Sequence, residues 1–174
     1  MGVIKNDIIS KNIKEGESNN DNEDFFCGED IEKALLMSVP EHLRHLSGLQ
    51  FYQTAVQLRA EVIELCHSNA IPKSMRGAFS NPMCNTAKEI VDLLLEGERF
   101  YPNIQENVNK RKECYGKALG RIDSLCADMQ TLAAHQKRFQ VSKVKISKLC
   151  HIAETCKEEV KLLTAARKNT KLIK

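Results

Sequence analysis

The chain has no tryptophan, few aromatic side chains and only four prolines, and nowhere the ~18 consecutive apolar residues that a membrane-spanning helix needs. Its N-terminus, Met1 to Asn6, lacks the apolar core of a signal peptide, and Asn6 stands where an N-myristoylation motif needs Ser or Thr. The expectation is a cytoplasmic protein that neither crosses nor is anchored to a membrane. Strand-like alternation of apolar and polar residues is absent, as is any internal repeat, which excludes sandwiches, barrels and solenoids.

Chemistry is as sparse. No Gly-rich phosphate loop, Ser/His/Asp order or Cys/His nucleophile pairing occurs. One Glu-x-x-His pair, Glu64 and His67, falls short of the two that a di-iron bundle requires. The five histidines lie mostly near predicted helix ends, where a cation is favourable without any ligand role. The seven cysteines, Cys27, Cys66, Cys84, Cys114, Cys126, Cys150 and Cys156, are odd in number and contain no C-x-x-C pair. Cys66, Cys126, Cys150 and Cys156 fall on or beside apolar stripes, so small hydrophobic filler is favoured over metal or redox use. No catalytic residue, metal or cofactor is expected.

What is present is helical periodicity. Ser38-Val-Pro-Glu41 has the form of a capping box with Pro in the first turn, so a first long helix is predicted from there to about His67. It carries two apolar stripes: Leu49, Tyr52, Val56 and Ile63, and beside it Phe51, Ala55, Leu58, Val62 and Leu65. Such a girth needs more than one covering neighbour. A second helix is predicted over about 74–96, with Pro82 marking a kink or a late start after Asn81. A third follows over about 103–135, with Tyr115, Ala118, Leu119, Ile122, Leu125, Cys126, Met129, Leu132 and Ala133 on its inner face. Ser142 is a candidate N-cap for the fourth. There Ile146, Leu149, Ala153, Cys156, Val160 and Leu163 form the packing seam. The fold class is therefore all-α, an up-and-down four-helix bundle over 38–170. Residues 1–37, rich in Asn, Asp, Glu and Ser, are expected to form an acidic, largely disordered tail with a short helix at most.

Charge is distributed unevenly. Residues 1–40 carry net −5, residues 41–134 net 0 and residues 135–174 net +8, so a formal net charge of +3 conceals a strong asymmetry. On the fourth helix Lys143, Lys157, Lys161 and Lys168 fall within about 40° of one another at 100° per residue. On the third, Lys110, Lys117 and Arg121 form a second narrow stripe. Basic stripes favour a polyanion, although a solvated outer face would have the same composition. Lys73 and Arg76, at a predicted helix start where they oppose the dipole, suggest a partner contact. Arg111 suits either a partner or an acidic residue across the bundle.

Two stretches carry a family resemblance. Ile71-Pro-Lys-Ser-Met-Arg76 with Asn85-Thr-Ala-Lys-Glu-Ile90, and Arg111-Lys-Glu-Cys-Tyr115 with Ala118 to Leu125, resemble the four-helix-bundle proteins named after 23S rRNA intervening sequences. Among these, the chain is most similar to the accessory variability determinants of diversity-generating retroelements. The segment Ser80 to Asn85 departs from the plain intervening-sequence pattern by one extra residue and by the loss of a final Gly. The resemblance, over roughly residues 45–165, implies a non-catalytic bundle that assembles as a homopentamer. It implies binding of a reverse transcriptase together with its template RNA, in support of mutagenic cDNA synthesis. The residues alone leave two further readings open: an interaction bundle for an acidic partner, and a nucleic-acid-binding factor of another mobile element.

Overall fold

In a computed structural model of the chain, residues 46, 49–139 and 143–173 are described. They form four helices: α1 (Gln50–His67), α2 (Ser80–Arg99), α3 (Gln105–Phe139) and α4 (Ile146–Asn169), with a 3₁₀ turn at Lys73–Met75. No strand occurs among the described residues. Each helix packs on its neighbours in sequence, and α4 closes back on α1. The all-α bundle is thus as expected. The acidic tail, the short helix near residue 30, the Ser38 capping box and Ser142 lie outside the described residues.

The first helix is shorter than predicted. Leu49 is extended, at φ −92° and ψ 114°, which breaks any continuous helix from Ser38, and α1 begins at Gln50. Ser47-Gly48, a pair with low helix propensity, precedes the break in sequence. Of the two predicted stripes, Ala55, Leu58, Val62 and Leu65 are buried in the core, whereas Val56 (43% exposed) and Ile63 (37%) face outward. The bundle covers one stripe and leaves half of the other open, with Leu49 and Tyr52 half-buried.

α2 starts at Ser80, so Pro82 sits in its first turn, where the N–H it lacks would have had no intrahelical acceptor. Lys73 and Arg76 therefore precede the helix instead of lying within it. α3 extends to Phe139; of the inner residues that the periodicity named, Tyr115, Ala118, Ile122, Leu125, Met129 and Leu132 are buried, Leu119, Cys126 and Ala133 are half-buried at the edge of the core, and Val108 and Cys114 are buried in addition. It packs tightly on α2 at Gly97, where a Cβ would lie 3.1 Å from Tyr115 Cε1 and 3.2 Å from Cys114 Cβ. Tyr115 and Cys114 are buried and cannot retreat. Gly97→Ala should therefore cost roughly 1–3 kcal/mol, the range of overpacking, read from the midpoint of urea unfolding.

α4 corrects the predicted seam. Leu149, Cys156 and Leu163 are buried as expected and Val160 is half-buried against the core, but the buried positions between the first three are Ile152 and Glu159, while Ala153 and Ile146 are exposed. Both registers have spacings of three and four. The chain takes the one that buries the large Ile152 side chain instead of the Ala153 methyl, and Glu159 is carried inward with it.

Candidate nucleic-acid interface

The corrected seam moves the lysines. At 100° per residue, Lys157, Lys161 and Lys168 lie about 120° to 160° from the buried line through Ile152, Cys156 and Leu163, not a quarter turn from it. All three are exposed. Lys161 is 77% exposed and 3.6 Å from Glu158, a contact that leaves the ammonium largely hydrated. Lys157 and Lys168 have no ion pair among the described residues. Lys143 is not on this helix: it lies in the α3–α4 connection, where its N–H donates to the Ala70 carbonyl at 2.8 Å.

The α3 stripe is differently placed. Lys110 pairs with Glu106 at 2.6 Å and stands 5.7 Å over the Phe100 ring. Lys117 pairs with Glu113 at 2.7 Å, and Arg121 reaches across to Glu89 on α2 at 2.7 Å. Hydrogen bonds from these lysines hold the Glu106 and Glu113 carboxyls below their ordinary range, and Glu113 raises Lys117 in turn. Lys117 and Arg121 border a groove of about 530 Å³ between α2 and α3, whose other charged walls are Glu89, Asp92 and Glu96. Three carboxylates beside two cations do not make a track for phosphate. α3 therefore contributes a mixed-charge surface, and the concentrated positive face belongs to α4.

Arg111 faces inward. Its Nε donates to Glu98 Oε1 at 3.1 Å and its Nη2 to Oε2, a fork closed by the Tyr115 hydroxyl, which also donates to Glu98 Oε1. Arg111 and Tyr115 are one helical turn apart, so the Arg-x-x-x-Tyr spacing has a physical reason: both reach one carboxylate on α2. Glu98 is 4% exposed in its side chain and Arg111 17%, which makes this a bundle contact. Burial, then the Glu98 contact, pushes the Tyr115 hydroxyl above its ordinary pKa. Of the other two suggested contacts, Lys73 is exposed in the 3₁₀ turn, and Arg76 is half-buried with an Nε that has no partner among the described residues.

Two acidic residues escaped sequence reasoning. Glu98 had a visible partner type but no visible partner. Glu159 is wholly buried, with neither carboxyl oxygen hydrogen-bonded among the described residues. Burial first, and then Glu158, pushes its pKa from 4.5 up to about 8. No group of three or more metal-ligating side chains occurs among the described residues, and no helix there is long and apolar enough to cross a membrane. Comparison of the chain with family models, curated proteins and solved structures finds no match.

Proposed function

We propose that this bundle is a non-catalytic accessory protein of a diversity-generating retroelement, which holds template RNA beside the reverse transcriptase. The observation that carries the nucleic-acid part is the exposed lysine face of α4, set opposite the packed face so that phosphate can approach without disturbing the core. Lysines on a rigid helix are point charges, suited to backbone contact and not to base reading. The polymerase, the retroelement and the pentamer come from the resemblance of the second and third helices. Self-association is further supported by Val56 and Ile63, which a second copy would cover.

Changing Lys157, Lys161 and Lys168 together to Glu should remove three phosphate contacts. For single-stranded RNA that lowers the salt slope of log affinity by about 2, at ~0.7 per contact, and reverses the local field. Helicity and sedimentation should not change. Unaltered affinity across a salt titration would refute the site.

A further inference from the structure

The α1–α2 and α3–α4 connections meet at one end of the bundle. There the Lys143 N–H donates to the Ala70 carbonyl at 2.8 Å, and the Phe79 ring meets His135 edge to face, 5.4 Å between centroids. Neither connection contains an acidic residue: from 65 to 88 and from 129 to 153 there is no Asp or Glu, against three and five Lys or Arg. Lys88 pairs with Asp92 and Lys148 with Glu64. The other six, Lys73, Arg76, Lys137, Arg138, Lys143 and Lys145, have no ion pair among the described residues.

A column of flat side chains crosses this end from core to solvent. Phe79 packs on the core, and His135 lies between Phe79 and Phe139, 4.6 Å from the Phe139 centroid. The exposed Arg138 guanidinium stands 5.2 Å over the Phe139 ring. Phe139 ends α3 and is 54% exposed, so the bundle backs this ring without covering it.

We propose that this end of the bundle grips single-stranded RNA, with an unpaired base stacked on the Phe139 and Arg138 end of the column and the flanking phosphates held by the six cations. The proposal rests on the reading of the bundle as an RNA-binding protein, and adds a contact for unpaired bases that the lysine face of α4 has no ring to make. Every base has a π-face, and both an aromatic ring and a guanidinium plane offer it a stacking surface. In a duplex the base faces are already covered by their neighbours, so a duplex meets only the cations. An acidic protein segment would likewise use the cations, and its carboxylates would leave the Phe139 ring in water. His135 is a positioning residue, which holds that ring against Phe79.

The test uses the full-length protein and a fluorescein-labelled unstructured RNA, single-stranded or annealed to its complement. Phe139→Ala should weaken single-strand binding about fivefold or more, the loss of one stacked base. Its salt slope should not change, because no charge is removed, and duplex affinity should equal the parent's. Lys143→Gln with Lys145→Gln should instead lower the single-strand salt slope by about 1.4, at ~0.7 per phosphate contact. Because the chain has no tryptophan, Phe139→Trp supplies a single indole, whose emission should fall as single-stranded RNA is added; this variant reads the contact even if the alanine variant loses helicity. Equal losses on single strand and duplex, or indole emission that ignores the RNA, would overturn the stacked contact while leaving the α4 site standing. A parent that binds neither RNA would sink both.

Discussion

Glu159→Leu should stabilise the bundle, and the gain should grow with pH. In the folded chain the carboxyl titrates at about 8 and in the unfolded chain near its ordinary 4.5. Below pH 4.5 both states hold the proton, and ionisation costs nothing. Between the two values the unfolded state releases its proton while the folded state keeps it, so stability falls as pH rises. Above pH 8 both are ionised and the full penalty is present. A difference of this size corresponds to about 3–5 kcal/mol at alkaline pH. Leucine removes that term and also the cost of an unpaired buried carboxyl, ~1–3 kcal/mol even when neutral. Urea unfolding followed by circular dichroism from pH 5 to 9 should show a falling curve for the parent and a flat, higher one for the leucine variant. Glu159→Gln should be flat but lower than leucine, because the amide is still without a partner. A parent curve that does not fall between pH 5 and 9 would show that Glu159 is hydrated or paired.

Arg111→Ala should have the opposite sign and a similar size. It removes both arms of the fork from a Glu98 carboxylate that is only 4% exposed in its side chain and that also accepts from the Tyr115 hydroxyl. Breaking a buried pair from one side costs about 3–5 kcal/mol, much of it the penalty of the stranded charge. Arg111→Lys should fall between parent and alanine, since an ammonium cannot reproduce the two parallel bonds. The double change Glu98→Gln with Arg111→Met should recover part of the loss, because both charges of the fork are removed together. If the alanine variant melts with the parent and loses RNA binding instead, Arg111 is a partner contact.

The two carboxylates differ although both are buried. Glu98 sits on α2 opposite a guanidinium and a phenol one turn apart on α3, and both reach it. Glu159 is on α4, whose register was chosen by the aliphatic residues around it. The first makes a contact that the bundle would lose; the second is a cost that the bundle carries. The lysine face depends on the same choice, since rotating α4 to the alternative seam would bring Lys157 and Lys161 nearer to the helix contacts.

By itself the sequence determined the all-α class, the number of long helices, the inner face of α3 and the concentration of positive charge in the last segment. These follow from local periodicity, breakers such as Pro82, and composition, each readable within one helix or one loop. Only the tertiary structure decided which of two equivalent seams α4 presents, and with it the burial of Glu159 and the position of the lysines. Only it showed that Arg111 and Tyr115 share Glu98 and that Lys117 and Arg121 border a groove walled by carboxylates. Each of these is a relation between helices, and the energy that selects it, apolar burial against a neighbour or a charge met across a contact, has no counterpart along a single stretch of chain.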